Sequence, residues 1–248
     1  MSLHQDNGGL IGCSYEDTQD PYWNYCALAL PLWDNGTGSL ITTDLSPNTK
    51  TITNNSITWQ TNVQNFYGGG ARFSGSGYLE SSNSSDFIVG SGDFTLESWF
   101  NVNASQTTNP RLFGQNINSS SNWDCYIDGT SGTNGIYMHG SYTNLNMSFP
   151  SANAWHHFCI VRKSGILYSF MNGNLAYTQS YTNYVGVSNY GFRVGEIGPN
   201  GGSGYRLNGY VQDFRLYNGV AKYTSNFTPP TRSLISQARR YPSGVFAL

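Results

Sequence analysis

The dipeptide Asn172-Gly173 lies between two runs rich in aromatic and β-branched residues, and it constrains this chain more than any other feature. From Ala154 the surrounding sequence reads AWHHFCIVRKSGILYSFMNGNLAYTQ. Asn-Gly accepts positive φ at both central positions of a type I′ turn, whose twist matches that of paired antiparallel strands. Further short runs bounded by Gly, Asn, Ser and Pro extend the pattern: YCALALPLW from Tyr25, then SITWQ, ARF, GYLES, RLFGQ, NWDCYID, GIYMHG, GFRVGEIG and YVQDFRLYN. The segment DFTLESWFN alternates, with Phe94, Leu96, Ser98 and Phe100 on one face and Thr95, Glu97, Trp99 and Asn101 on the other. The stretch DNGTGSLITTDLSPNTKTITNN reads as turns. About a dozen short strands and no helical stretch predict an all-β fold, a two-sheet antiparallel jelly-roll sandwich. Residues 1–24 and 231–248 lack periodicity and read as irregular terminal arms around one domain at 25–230.

Composition narrows the function. Charged residues make up 10% of the 248, aromatic residues 15%, and the formal net charge is −2. There is no basic run, so electrostatic attraction to nucleic acid or to an anionic membrane is not expected. The start, MSLHQDNGGLIGCSYEDTQD, has no basic segment followed by an apolar one, and the run CALALPLW is too short to span a bilayer. Cys13, Cys26, Cys125 and Cys159 are widely spaced and read as reduced thiols rather than a zinc site.

The order and spacing of LPLWDNGTGS, FYGGGARFSGSGYLE, SGDFTLESWF, AWHHFCIVRKSGILYSFMNGNLAY and LNGYVQDFRLYNGVAKYTSNFTPPT resemble the laminin-G-like, concanavalin A-like lectin/glucanase superfamily, from about residue 27 to residue 231. The closing phrase GVAKYTSNFTPPT is similar to jelly-roll modules of bacteriophage structural proteins. The resemblance implies two packed antiparallel sheets, ligand sites on a sheet face or at rim loops, and in some members a Ca²⁺ ion. Function does not follow from it, because sites are grafted onto such folds independently.

The superfamily includes glucanases, which carry a Glu-x-Asp-x-x-Glu strand. The four glutamates here, Glu16, Glu80, Glu97 and Glu196, form no such motif. Asp124 and Asp128 share a strand face, but four residues of strand separate them by about 13 Å, too far for a carboxylate pair acting alone. His156 and His157 are adjacent and point to opposite faces of a regular strand. No nucleophile elbow or phosphate loop is present. The expectation is therefore a protein that is not an enzyme.

Two residue sets suit glycan binding, in which an aromatic ring framed by polar groups stacks on a sugar. They are Glu97, Trp99 and Asn101 on one strand, and Asp124, Tyr126 and Asp128 on another. Covering loops or a neighbouring subunit would remove either. For Ca²⁺ the oxygen donors at hand are Asp34, Asn35 and Asp44, which serve equally well as turn caps. Irregular arms on a jelly-roll body suit a subunit of a larger assembly. The expected partners are other virion proteins, further copies of the chain and surface polysaccharide. The expected place is the exterior of a virus particle made in the host cytoplasm, as a capsid decoration, fibre or tail-associated subunit. A stand-alone lectin module and a polysaccharide-degrading glycoside hydrolase are the competing readings.

Overall fold

The computed structural model describes residues 20–34, 36–63, 65–104, 106, 109–115, 123–128, 135–139, 143–147, 151–186, 190–196 and 205–230. They contain fifteen strands: β1 Cys26–Leu30, β2 Ile52–Asn55, β3 Thr58–Gln60, β4 Gly70–Ser74, β5 Tyr78–Ser81, β6 Phe94–Val102, β7 Arg111–Gln115, β8 Trp123–Asp128, β9 Gly135–His139, β10 Thr143–Asn144, β11 His156–Lys163, β12 Ile166–Met171, β13 Asn174–Ser180, β14 Arg193–Val194 and β15 Asn208–Asn218. Two 3₁₀ turns, Trp23–Tyr25 and Ser85–Phe87, are the helical elements among these residues. The strands make two antiparallel sheets, in agreement with the jelly-roll expectation.

One sheet runs β13-β12-β11-β6-β15-β4-β3, with β1 also paired to β15. β15 pairs with β6 along one edge, and along the other its eleven residues serve β4 at Asn208–Val211 and β1 at Phe214–Tyr217. Between them a bulge at Asp213, with φ of 48°, turns the strand. The other sheet runs β10-β9-β8-β7-β14-β5-β2. β2 falls in the stretch that the sequence presents as turns. Its residues ITNN hold a single apolar side chain, Ile52, so they carry no apolar alternation to read.

The Asn172-Gly173 turn is present, with φ of 52° and 77°, and it joins β12 to β13. Ser164-Gly165, with φ of 48° and 76°, makes a second turn of the same left-handed kind between β11 and β12. Gly173 has another role besides: a Cβ there would collide with the carbonyl oxygen of Phe227.

The core fills the space between the sheets. Phe94, Leu96 and Phe100 of β6 face Phe113 of β7 and Phe214 of β15, as alternation along β6 predicts. Phe113 stacks on Phe192 with ring centroids 5.5 Å apart. Rings of this size each bury about 150–250 Å², so they dominate the cohesion of the sandwich.

β6 is also covered on its other face, which alternation alone does not announce. Residues Val220–Pro230 leave β15 and pass over the outside of the larger sheet. Tyr223 and Phe227 stack at 3.6 Å, and Phe227 packs against Phe170 of β12. The Phe227 N–H donates to Gly173 O, and the Leu175 N–H donates to Asn226 Oδ1. From the other end, Asp20 accepts from Tyr217 Oη at 2.6 Å and pairs with Lys222 Nζ at 3.2 Å. Part of the expected N-terminal arm, Asp20–Asn24, is thus tied to the domain. Residues 1–19 and 231–248 lie outside the described set.

Candidate functional site

The two sequence-selected residue sets lie on different sheets and meet different fates. Glu97 is 1% exposed, beneath the 220–230 strap. Its carboxylate accepts from Lys222 Nζ at 2.7 Å and Tyr223 Oη at 3.2 Å. His157 Nε2 lies 3.6 Å from it and Arg215 Nη1 3.9 Å. Burial alone would raise this carboxyl, but Lys222, the His157 hydrogen bond and Arg215 together hold it far below the usual carboxylate range. Asn101 is buried as well. Trp99 is half-buried, edge-on to Phe66 at 5.5 Å and to His157 at 5.2 Å. Glu97 and Asn101 are thus enclosed, and Trp99 is packed against loop residues. The alternation that separates the two faces of β6 is right, but the outer face is not open: the strap lies on Glu97 and Phe66 packs on Trp99.

His157 is itself 1% exposed, and its Nδ1 has no hydrogen-bond partner. Burial pushes its pKa down, and Glu97 restores only part of the fall. His156, on the opposite face, is partly exposed, with Nε2 3.1 Å from Ser151 O. A pH dependence follows from the buried pair. The depressed imidazole stays neutral in the fold, while the unfolded chain takes up a proton as pH falls through about 6.5. The depressed Glu97 carboxyl acts in the same direction, because the unfolded chain protonates it below about 4.5 while the folded one does not. Stability should therefore fall on acidification, first from near pH 7 and again below pH 5. The urea midpoint at about pH 7.5 and pH 5.5 tests the first step, and the difference should shrink in His157→Gln.

The second set stands in a larger constellation on the outer face of the smaller sheet. Phe113, Cys125, Leu79 and Val194 face the core, so their strand neighbours face away from it. Register places Glu80 of β5 opposite Arg193 of β14, Arg193 opposite Gly114 of β7, and Gly114 opposite Asp124 of β8. A bulge between Arg111 and Phe113 keeps Arg111 opposite Tyr126. Asp124 is fully buried, with Arg111 Nε 2.9 Å from its Oδ2. The Arg111 guanidinium lies over Tyr126 at 4.1 Å and over Tyr205 at 5.0 Å. Arg193 donates to Glu196 at 2.7 Å and to Glu80 at 3.1 Å, and lies over Tyr78 at 4.2 Å. Arg206 donates to Glu196 at 2.9 Å and to Ser76 O, 5.3 Å from the Tyr78 ring.

The arrangement is layered. Asp124 and Glu196 form a buried floor of carboxylates that fix the guanidinium planes. Tyr78 and Tyr126 stack on those planes, and Tyr205, 45% exposed, stands at the surface. Tyr78, Glu80, Arg111 and Arg206 are partly exposed around it. Asp124 and Tyr126 thus come from the expected set, whereas Tyr78, Glu80, Arg111, Arg193, Glu196, Tyr205 and Arg206 were not singled out. Asp128 ends β8 on the same face, and its side chain lies outside the described set.

The calcium candidates are engaged elsewhere. Asp44 is buried and accepts from the backbone N–H groups of Ala29, Ser46 and Lys50 and from Ser46 Oγ. That is a loop anchor. Asp34 accepts from the N–H groups of Thr37 and Gly38, a turn cap. Asn35 lies outside the described residues. Among the described residues no three His, Cys, Asp or Glu side chains gather as a metal site. Cys26, Cys125 and Cys159 are buried free thiols, and Cys13 lies outside the description.

A two-sheet jelly roll with an aromatic and hydrogen-bonding sheet face is a lectin-type sandwich. The family model described as concanavalin A-like lectin/glucanases superfamily, a laminin G family, matches residues 73–222, and the chain belongs to that family. Among solved structures, domain 4 of AbnA, a GH43 extracellular arabinanase from Geobacillus stearothermophilus in complex with arabinotriose, aligns with TM-score 0.58 and 16% identity over 79% of this chain and 94% of that one. The binding domain of Paraclostridial Mosquitocidal Protein 1 aligns with TM-score 0.61 and 13% identity over 82% of this chain and 50% of its own. The binding domain of botulinum neurotoxin serotype D/C VPI 5993 gives 0.57 and 15%, over 84% and 50%. The chain thus spans about half the length of the toxin binding domains. These identities establish a shared fold. A comparison with curated protein sequences finds no match.

Proposed function

We propose that this chain is a carbohydrate-recognition module without catalytic activity, and that it works as a repeated surface subunit of a virus particle. The observation that carries the glycan reading is the Tyr78–Arg193–Glu196–Arg206 and Tyr126–Arg111–Tyr205 face of the smaller sheet. Sugars present apolar C–H faces to aromatic rings and hydroxyls to polar groups. This face supplies both from rigid strands, with its guanidinium groups already oriented by buried carboxylates. Domain 4 of the arabinanase, crystallised with arabinotriose, lends support by likeness of fold. So does the binding domain of botulinum neurotoxin type C, whose cell entry depends on two ganglioside molecules.

The non-enzymatic reading is supported by the surroundings of Glu97, whose close partners are Lys222, Tyr223, His157 and Arg215 rather than a second carboxylate. The viral setting is supported by the closing phrase GVAKYTSNFTPPT, most of which forms the strap. In that setting many copies on one particle would convert a weak contact into a lasting one through high effective concentration.

Titration calorimetry with an oligosaccharide panel tests the glycan reading. Tyr205→Ala should weaken binding about tenfold or more, on the scale of one exposed stacking aromatic. Tyr177→Ala, an exposed ring on β13 of the other sheet, should leave it unchanged. Equal affinities in the two variants would remove this face from consideration. Light scattering on the purified chain tests the assembly reading: multimers are expected, and a strict monomer would count against it.

A further inference from the structure

Among the described side chains the glycan face holds as many carboxylates as guanidinium groups, and they neutralise one another; Asp128, at the end of β8 on this face, adds a further negative charge. Arg111 is matched by Asp124, Arg193 by Glu80, and Arg206 by Glu196, which also receives Arg193. Connecting residues 116–122, 129–134 and 197–204 contain no charged residue, so the flanking sequence adds nothing to this balance. We infer that this face selects neutral, polyhydroxylated glycans and discriminates against acidic ones such as uronates and sialosides. The inference rests on the glycan reading above and deepens it.

The hydrogen-bond accounting is the main support. A carboxylate ligand is held best by a guanidinium fork that offers two parallel N–H groups. Arg193 has no fork to give. Its Nη1 donates to Glu196, its Nη2 to Glu80, and its Nε sits 3.1 Å from Glu80 Oε1. Arg206 uses Nε on Glu196 and Nη1 on Ser76 O. Arg111 uses Nε against Asp124 and Nη1 on Asn109 O. Arg111 and Arg206 thus have one terminal nitrogen each outside these contacts, enough for single hydrogen bonds to hydroxyls.

The flat faces of the guanidinium groups are also occupied, Arg193 on Tyr78 and Arg111 on Tyr126 and Tyr205. The most exposed carboxylate, Glu80, would accept from a sugar hydroxyl but repel a sugar carboxylate. An anionic ligand would therefore have to displace an internal carboxylate before it could pair. A hydroxyl needs no such exchange.

The experiment compares the intact chain with Glu80→Gln. Calorimetric titrations would use neutral arabino-, gluco- and galacto-oligosaccharides, oligogalacturonate and sialyllactose, at low and at high NaCl. The intact chain should bind at least one neutral oligomer, with an affinity that changes less than about twofold from 0.05 to 0.5 M NaCl. It should bind the acidic probes at least about tenfold more weakly. Glu80→Gln removes one negative charge and leaves a single acceptor oxygen for the two Arg193 nitrogens that Glu80 holds, so it should gain about tenfold for oligogalacturonate, in a manner reversed by salt. Acidic oligomers bound more tightly than neutral ones by the intact chain would overturn the inference and leave the glycan reading standing. Binding to no oligosaccharide would overturn the glycan reading and this inference with it.

Discussion

Glu97→Gln is expected to cost about 3 kcal/mol or more of folding stability, because the substitution strands buried cations. Lys222 and Arg215 both lean on this carboxylate, at 2.7 and 3.9 Å. Their remaining carboxylate partners are Asp20 at 3.2 Å from Lys222 and Asp213 at 3.6 Å from Arg215, while the Tyr217 ring lies 4.2 Å from Lys222 Nζ. Tyr223 Oη also loses an ionised acceptor, so the strap is released at its most polar point. In a domain of this length each kcal/mol moves the melting temperature by roughly 2–4 °C, which predicts a fall of about 6–12 °C. Thermal unfolding followed by near-ultraviolet circular dichroism measures it. A shift of less than about 2 °C would mean that Asp20 and Asp213 suffice to hold both cations, and that Glu97 is not the keystone of the strap. Any glycan affinity of the folded variant should be unchanged, because the proposed carbohydrate face lies on the other sheet.

Local chemistry is legible in this sequence, and placement across the sheets is not. The Asn172-Gly173 hairpin can be read because its two φ values are a property of two adjacent residues. The core face of β6 can be read for the same kind of reason, since Phe94, Leu96 and Phe100 recur every second residue. The outer face of β6 misleads because Glu97 looks solvent-facing until residues more than a hundred positions away close over it. That cover comes from Lys222 and Tyr223, which the sequence places inside the domain but without strand alternation that would mark what they pack on. The proposed glycan face is only half legible for a similar reason. Asp124 and Tyr126 share a strand, so their kinship is local. Arg111, Arg193, Glu80 and Tyr78 join them only through the sheet order β8-β7-β14-β5, which no spacing encodes. One available clue was scarcity: with only 10% charged residues, outward charges at alternate positions of GYLE, RLFG, NWDCYID and GFRVGE stand out as a group.

Arg162→Met should also destabilise the fold, by a different route from Glu97→Gln. Arg162 is wholly buried in β11, yet none of its three hydrogen bonds goes to a carboxylate. Its Nε donates to Gly92 O at 2.7 Å, Nη1 to Asn183 O at 2.7 Å and Nη2 to Gly90 O at 2.6 Å. The guanidinium thus joins the turn that leads into β6 to the segment that leaves β13 for the other sheet. Gly90 O keeps a donor without it, because the Val185 N–H also bonds there. Gly92 O and Asn183 O would lose theirs. Gly92 and Asn183 are exposed residues, so water can take the place of the guanidinium at their carbonyls. At about 0.5–1.5 kcal/mol for each hydrogen bond, the two together predict a loss of about 1–3 kcal/mol, with a further contribution from the poorer fit of the thinner side chain. Met carries no charge, so the loss would report on carbonyl satisfaction rather than on an unpaired ion. Arg162→Lys separates the two effects: a single ammonium cannot reproduce a planar fork aimed at three carbonyls in different loops. If the cost arises from hydrogen-bond geometry, Lys should recover less than half of what Met loses. If it arises from the buried charge alone, Lys should recover nearly all of it. Urea unfolding at constant slope distinguishes the two outcomes, and hydrogen exchange at Gly90 and Val185 should show whether the junction between the two sheets opens first.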